Sequence, residues 1–122
     1  MISYLMLGTN DLQRAGQYFD ALLGEIGAKR AFDRETSLTW AFEGGGCFFE
    51  ITQPFDGEPA TVGNGSMVAF VLESQEQVRT MHAKALELGG TNEGDPGLRS
   101  HSFYGGYFRD LDGNKLCFFN NG

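Results

Sequence analysis

The sequence predicts an α+β fold in which a βαβββ module occurs twice. A short apolar segment followed by apolar residues at helical spacing occurs at the start of the chain and again from residue 67. Each of these helical segments is followed by three segments typical of β-strands. A stretch rich in Pro, Gly, Asp and Asn separates the two copies. We therefore expect one domain over residues 1–122, with modules at about 1–53 and 66–122 and a linker at about 54–65.

The first module opens with an apolar strand at residues 3–7. Asn10 and Gln13 then have the spacing of a capping box, which marks the N-terminus of a helix. The helix is expected to end at Leu23-Gly24, because glycine is common at helix C-caps. Its apolar face carries Leu12, Ala15, Phe19 and Leu22, which recur at the spacing of helical turns.

The second module repeats this order. Residues 67–71 form an apolar strand, and Ser74 with Gln77 has the spacing of a second capping box. The helix is predicted to run to Gly89. Its apolar face carries Val78, Met81, Ala85 and Leu88. His82 lies at the edge of this face, and we expect it to be half-buried on the helix side of the module.

The remaining strands are predicted from β-like segments that flank turns. In the first module they span residues 28–33, 38–43 and 47–53, with a turn at Gly44-Gly45-Gly46. In the second module they span residues 90–93, 103–110 and 115–119, with a turn at residues 111–113. Asp112-Gly113 between apolar runs is typical of a hairpin. Residues 94–97 are predicted to form a turn, and Asp110 and Asp112 are expected to be solvated charges and turn carboxylates.

Composition and charge exclude several classes of partner. The chain has 16 acidic and 9 basic residues, which gives a formal net charge of −7. Since no basic run is present, nucleic acid and anionic membrane surfaces are not expected partners. No apolar run approaches the roughly 20 residues that cross a bilayer, and the N-terminus lacks a basic signal region. Cys47 and Cys117 lie in apolar segments and are expected to be buried, reduced thiols. A cytoplasmic protein is therefore expected.

Residues 107–116, Tyr-Phe-Arg-Asp-Leu-Asp-Gly-Asn-Lys-Leu, and the paired modules resemble the vicinal oxygen chelate superfamily. This superfamily includes glyoxalases, extradiol dioxygenases and bleomycin- and fosfomycin-resistance proteins. Residues 7–12, Tyr18-Phe19 and Leu23-Gly24 are similar to its first module, so the resemblance covers the whole chain. It implies a cup-shaped mixed sheet with helices on the outer face and functional side chains inside the cup. Because members of the family commonly pair, it also implies a homodimer.

The resemblance also implies which positions would bind a metal. Metal enzymes of the family take ligands, usually His or Gln and then Glu, from the first and last strands of each module. These positions carry Tyr4, Glu50, Met67 and Cys117, of which only Glu50 matches. A carboxylate beside a phenol, a thioether and a thiol is a poor donor set for Mg, Mn, Fe, Ni or Zn. We therefore expect no metal and no other cofactor, with a divalent metal as the alternative.

Strand alternation predicts which side chains face the cup. These are Tyr4, Met6, Phe48, Glu50, Thr52, Met67, Ala69, Val71, Cys117 and Phe119. Facing the helices are Leu5, Leu7, Ile51, Val68, Phe70, Leu116 and Phe118. If the three glycines form a three-residue loop, Trp40 lies opposite Glu50, and Tyr107 lies opposite Cys117.

Such a lining is typical of a site for an apolar or aromatic small molecule. The resemblance to bleomycin-binding resistance proteins, which are acidic, implies a cationic ligand, and the net charge of −7 fits it. The predicted ligand-binding residues are Tyr4, Met6, Trp40, Phe48, Glu50, Met67, His101, Tyr107 and Cys117. His101 lies in a polar loop that is expected either to close over the ligand or to remain a surface loop. Glu50 is interpreted either as functional or as paired with Arg or Lys, and Tyr4, Met6 and Met67 as cavity wall or ordinary core.

Three functions follow from these residues and the resemblance. The first is sequestration of a small molecule without bond-breaking, so that the protein is not an enzyme. The second is a glyoxalase-like lyase or isomerase in which Glu50 is the catalytic general base and Tyr4 or His101 polarises a carbonyl. The third is a dimeric interaction module whose cup is filled by its own side chains.

Overall fold

The computed structural model describes residues 1–122 and contains two helices and eight strands. The chain divides into two compact units, Met1–Thr61 and Val62–Gly122. Each unit is one βαβββ module with its own four-stranded mixed sheet. The predicted α+β class with two such modules is therefore confirmed. Neither helix is long and apolar enough to cross a membrane.

The first unit has one helix and four strands. In chain order they are β1 (Tyr4–Gly8), α1 (Leu12–Gly24), β2 (Lys29–Asp33), β3 (Ser37–Ala41) and β4 (Phe48–Thr52). The strand order across the sheet is β1-β4-β3-β2. β1 is parallel to β4, whereas β4, β3 and β2 are antiparallel to one another. The first and last strands of the module are therefore neighbours in the sheet.

The second unit repeats this topology. Its elements are β5 (Val68–Val71), α2 (Gln75–Glu87), β6 (Thr91–Ser100), β7 (Phe103–Arg109) and β8 (Lys115–Asn120). The strand order is β5-β8-β7-β6, with β5 parallel to β8 and the other pairs antiparallel. The two sheets thus have the same order and the same strand directions, as expected for an internal repeat.

Each helix buries one apolar face against its own sheet. Helix α1 packs on β2, β3 and β4 with Ala15, Tyr18, Phe19, Leu22 and Leu23 buried. The ring of Phe19 lies 5.0 Å from that of Phe49 and 5.8 Å from that of Trp40, in edge-to-face arrangements. Helix α2 packs on β6, β7 and β8 with Val78, Met81, His82 and Ala85 buried. His82 is therefore fully buried and not half-buried as predicted.

The helix N-termini differ in how well the sequence predicts them. Ser74 caps α2 by accepting a hydrogen bond from the backbone N–H of Gln77, as predicted, whereas Gln77 Oε1 accepts from the backbone N–H of Glu73 and not from that of Ser74. The first prediction was wrong by one residue, because Asp11 and not Asn10 is the N-cap of α1. The Asn10 side chain is instead bonded to the backbone N–H and C=O of Ala60. The segment after β4 therefore folds back on the start of α1 and takes the Asn10 amide out of the capping role.

The helix C-termini depend on glycine at different distances from the last turn. Helix α1 ends at Gly24 as expected, but Glu25 is its cap residue and the left-handed residue is Gly27, with φ of 85°. Helix α2 ends next to Gly89, whose φ is 113°. The Gly90 N–H donates to the carbonyl of Ala85, which closes the end of the helix.

Strand β6 is longer than predicted, because residues 94–97 lie within the strand and do not form a separate turn. Its pairing with β7 shifts register in three places, and these irregularities accommodate Pro96 and the flanking glycines. β6 is an edge strand, where proline costs no ladder hydrogen bond. The hairpin between β7 and β8 is as predicted, with Gly113 at φ of 88°.

Candidate ligand-binding site

The sheet of the first unit has one face under α1 and an opposite face that is open. Tyr4 and Met6 on β1 are 54% and 48% exposed, whereas Phe49 and Ile51 on β4 are 1% and 0% exposed. The alternation predicted from the sequence is therefore confirmed in this unit, with Tyr4, Met6, Phe48, Glu50 and Thr52 on the open face. A one-residue slip in register would have buried the Glu50 carboxylate under the helix.

This open face contains a hollow of about 420 Å³. It is lined by Ser3, Tyr4, Phe32, Arg34, Ser37, Thr39, Phe48 and Glu50. Three of the predicted site residues, Tyr4, Phe48 and Glu50, come together here. Phe32, Arg34 and Thr39 were not predicted, and they contribute an aromatic ring, a cation and a hydroxyl to the same hollow.

Glu50 is half-buried and is positioned by the strand next to it. Thr39 lies directly across from Glu50 in the β3–β4 pair, and its Oγ1 donates a hydrogen bond of 3.1 Å to Glu50 Oε1. Thr39 is only 2% exposed, so its rotamer is fixed by packing. No lysine or arginine lies within ion-pair distance of the carboxylate. The alternative of a structural ion pair for Glu50 therefore does not describe this structure.

Arg34 lies just after β2, in the turn that leads to β3. Its backbone N–H donates to the carbonyl of Ser37 over 2.9 Å, which closes the turn. Its guanidinium carbon lies 4.7 Å from the centre of the Phe32 ring, a cation–π contact. The Phe32 ring is 6.1 Å from that of Phe48, so the cation and both rings belong to one surface. No carboxylate pairs with the Arg34 guanidinium.

Trp40 is not on the open face, and the predicted register at this position was wrong. The connection between β3 and β4 spans the six residues 42–47 and not an odd number as expected, so the pairing shifts by one residue and Trp40 pairs with Phe49. The Trp40 side chain is 0% exposed, and its Nε1 donates a hydrogen bond of 2.9 Å to Asp20 on α1. Thr39 takes the place opposite Glu50 that was expected for Trp40.

The second unit places Tyr107 opposite Cys117, as predicted. Cys117 is 0% exposed, and burial raises the pKa of its thiol to about 11, with Arg99 and Lys115 acting in the opposite direction. The Tyr107 ring has two cations near it, the Arg99 guanidinium at 5.3 Å and the Lys115 ammonium at 5.5 Å. At neutral pH the buried Cys117 thiol is protonated, so it is not a nucleophile in this state.

The other predicted site residues lie outside the hollow. Met6 is on the open face of the first sheet but does not line the hollow. In the second unit, Met67 immediately precedes β5 and is 44% exposed. His101 is exposed in the turn between the paired residues Ser100 and Phe103, at the tip of the β6–β7 hairpin.

No protein-family model and no curated protein sequence matches the chain. Among solved structures, it is similar to a glyoxalase/bleomycin resistance protein from Albidiferax ferrireducens T118, with 38% identity and a TM-score of 0.89. The match covers 100% of this chain and 99% of that chain. This chain belongs to the glyoxalase/bleomycin resistance protein family. The family expected from the sequence resemblance is thereby confirmed.

Two solved structures with lower sequence identity have the same fold as this family member. A glyoxalase-related enzyme from Fulvimarina pelagi has 16% identity and a TM-score of 0.80, and the match covers 99% of this chain and 88% of that one. A glyoxalase/bleomycin resistance protein/dioxygenase family enzyme from Burkholderia phytofirmans PsJN has 14% identity and a TM-score of 0.78, with 98% of both chains covered. At these identities the likeness concerns the fold.

The donors at the family's metal positions do not fit a metal. Tyr4 and Glu50 lie in the first unit, and Met67 and Cys117 lie in the second. Glu50 offers the one hard anionic donor, whereas Tyr4 offers a phenol, Met67 a thioether and Cys117 a soft thiol. No group of three or more His, Cys, Asp or Glu side chains is arranged to hold an ion. We therefore derive no chemical step through a metal.

Proposed function

We propose that this family member binds a small aromatic or apolar molecule that carries a positive charge, and that it acts by sequestration and not by bond-breaking. The observation that supports this proposal is the hollow of the first unit. There, the aromatic rings of Tyr4, Phe32 and Phe48 and the Glu50 carboxylate line a volume of about 420 Å³. Small-molecule sites of about 300–1,000 Å³ typically combine such apolar walls with a few polar groups that fix orientation.

The aromatic part of the proposal rests on rings that a ligand can reach. Tyr4 is 54% exposed and Phe32 is 46% exposed. Exposed aromatic side chains in a hollow gain from contact with an apolar partner, because the partner removes their faces from water. A flat ring also pairs with them in stacked or edge-to-face geometry, which adds about 0.5–1.5 kcal/mol per pair.

The cationic part of the proposal rests on Glu50. Its carboxylate accepts one hydrogen bond, through Oε1 from Thr39, and has no cationic partner. An ionised carboxylate can accept several hydrogen bonds, so Oε2 keeps its capacity for an ammonium or another donor on a ligand. The net charge of −7 draws cations toward the protein in general, and Glu50 gives that attraction a defined place.

The proposal can be tested with two probes that share one ring. Phenethylammonium carries the positive charge, and 2-phenylethanol is its neutral counterpart. Isothermal titration should show both binding, with phenethylammonium about tenfold tighter, as expected for one charge-assisted hydrogen bond. Glu50→Gln should bring the affinity for phenethylammonium down to that of the alcohol.

Glu43→Gln is the matched control. It removes the same charge as Glu50→Gln, but from an exposed residue in the β3–β4 connection. This variant should leave both affinities unchanged. Failure of both probes to bind the wild-type protein would contradict the proposal. An equal loss of phenethylammonium affinity in Glu43→Gln and Glu50→Gln would show that Glu50 contributes only to the net charge and does not contact the ligand.

A further inference from the structure

Two opposite charges line the hollow without pairing with each other. Arg34 and Glu50 both belong to the lining, yet no ion pair within 4.0 Å joins them. Each is held by a different neighbour: Arg34 lies over the Phe32 ring, and Glu50 accepts the hydrogen bond from Thr39. A cation and an anion are therefore presented separately at one apolar surface.

Arg34 resembles Arg79 and Arg99, which lie over aromatic rings without a carboxylate partner, and it differs from two arginines that form ion pairs. Arg30 makes ion pairs with Asp20 at 2.9 Å and Asp33 at 3.0 Å. Arg109 pairs with Glu93 at 3.1 Å. In a chain with 16 acidic residues and a net charge of −7, Arg34 has no carboxylate partner. Its donors are consequently available to an anionic group from outside the chain.

We propose that the ligand of the hollow is a zwitterion with an aromatic or apolar body. Its carboxylate, or a similar planar anion, binds the Arg34 guanidinium, its ammonium group binds Glu50, and its body lies against Phe48 and Tyr4. This inference rests on the proposed function and narrows the ligand class of that same site. The planar guanidinium suits a carboxylate because two parallel N–H donors meet its two oxygens.

Because the protein carries a net negative charge, a ligand with an anionic group needs the positive charge of Arg34 in order to bind. At a net charge of −7 an anionic group is repelled from most of the surface. A singly positive ligand satisfies Glu50 alone, whereas a zwitterion satisfies both charges and adds no net charge to the site. The zwitterion should therefore bind more tightly than the cation, the anion or the neutral molecule with the same ring.

The test extends the phenyl series to four probes: L-phenylalanine, phenethylammonium, 3-phenylpropanoate and 2-phenylethanol. Titration calorimetry should give the tightest binding for L-phenylalanine, by about tenfold over either singly charged probe. Arg34→Gln should bring L-phenylalanine down to the affinity of phenethylammonium and leave phenethylammonium unchanged. Glu50→Gln should bring it down to the affinity of 3-phenylpropanoate. Lys29→Gln removes an exposed, unpaired cation on β2 and should change none of the four affinities.

The outcomes separate this inference from the proposed function. If phenethylammonium and 2-phenylethanol bind but L-phenylalanine binds no tighter, the zwitterion inference is overturned and the proposed function stands. An Arg34→Gln variant that keeps the full preference for L-phenylalanine overturns it as well. If none of the four probes binds, both proposals are overturned. Circular dichroism of each variant checks that the fold is retained, and Arg34 is exposed, so its replacement leaves no buried gap.

Discussion

Glu50 and Cys117 occupy equivalent positions in the two modules. Glu50 lies opposite Thr39 across the antiparallel pair of its sheet, and Cys117 lies opposite Tyr107 across the equivalent pair of the other sheet. The repeat has thus kept its register and changed its chemistry. The first module carries a half-buried carboxylate with a hydroxyl donor, whereas the second carries a fully buried thiol beside a phenol ring. The polar recognition groups proposed here belong to the first module for this reason.

The Thr39–Glu50 hydrogen bond should be measurable as a coupling energy. In a double-mutant cycle of Thr39→Val and Glu50→Ala, urea unfolding should give a coupling of about 0.5–1.5 kcal/mol, the usual net contribution of one hydrogen bond. Thr39→Val combined with Glu43→Ala is the control pair, and it should be additive because Glu43 is exposed in the connection after β3. A coupling near zero for the first pair would remove Thr39 as the residue that positions Glu50.

Gly16 is required by close packing of α1 on its sheet, whereas Gly24 is not. A Cβ at Gly16 would lie 2.7 Å from both Arg30 Nη2 and Leu38 Cδ1, and a Cβ at Gly24 would meet nothing within 4 Å. In Gly16→Ala the Arg30 and Leu38 side chains must shift, which offsets the gain in helix propensity, so this variant should be less stable than Gly24→Ala by about 1 kcal/mol or more. Gly24→Ala should raise the free energy of unfolding by up to about 1 kcal/mol through helix propensity. Equal stabilities in thermal and urea unfolding would refute this contrast.

The module order could be predicted from the sequence because it depends on local signals. Period-two and helical spacings of apolar residues mark β1, α1, β5 and α2, and Asp112-Gly113 marks a hairpin whose positive φ is found at Gly113. The register at Trp40 could not be predicted in the same way. It depends on where β3 ends, and the three glycines give no sign that Phe42, Glu43 and Cys47 also belong to the connection.

The position of Arg34 and Phe32 in the lining of the hollow could not be predicted from the sequence, for a related reason. Every residue of β2 is exposed, so this edge strand has no alternation between buried and solvated positions. A weak signal was present, because Phe32 and Arg34 share the period of two that places side chains on one face. Their meeting with Glu50 depends on the β2–β3 turn and on the pairing of β3 with β4, which are non-local features.

Asp110 should make the stability of the second module depend on pH. It is only 5% exposed and accepts hydrogen bonds from Asn114 and Asp112, yet burial raises the pKa of its carboxyl above 3.8. Asp110 is therefore a turn carboxylate, as expected, but it is buried and not solvated. The folded protein holds this proton more tightly than the unfolded chain does. Stability from this group should rise as the pH falls through the raised pKa toward 3.8, and it should be lost as the pH rises.

Asp110→Asn removes that titration while keeping an acceptor oxygen for the turn. Urea unfolding at about pH 7 and about pH 4 should show wild type gaining stability relative to Asp110→Asn at the lower pH. Asp56→Asn is the control, because Asp56 is exposed in the segment after β4. A gap between wild type and Asp110→Asn that is the same at both pH values would contradict the raised pKa.

The two cysteines should react at very different rates. Because the pKa of Cys117 is raised to about 11 and its side chain is 0% exposed, little thiolate forms and reagents cannot reach it. Cys47 is half-buried before β4 and should be alkylated first. Peptide mass spectrometry after iodoacetamide treatment should find label on Cys47 in the folded protein and on both residues in urea. Comparable labelling of Cys117 in the folded state would contradict this assignment.

Metal loading tests directly whether the residues at the four family positions bind a divalent ion. Of the four family positions, Glu50 alone carries a hard anionic donor, and a single carboxylate cannot hold a divalent ion against water. After incubation with Ni, Zn or Mn salts and desalting, elemental analysis should find far less than one ion per chain. Glu50→Ala should give the same background, since whatever remains is bound elsewhere on an acidic surface. A near-stoichiometric ion that is lost in Glu50→Ala would show that Glu50 binds a metal together with other ligands. The expectation that the chain binds no metal would then be wrong.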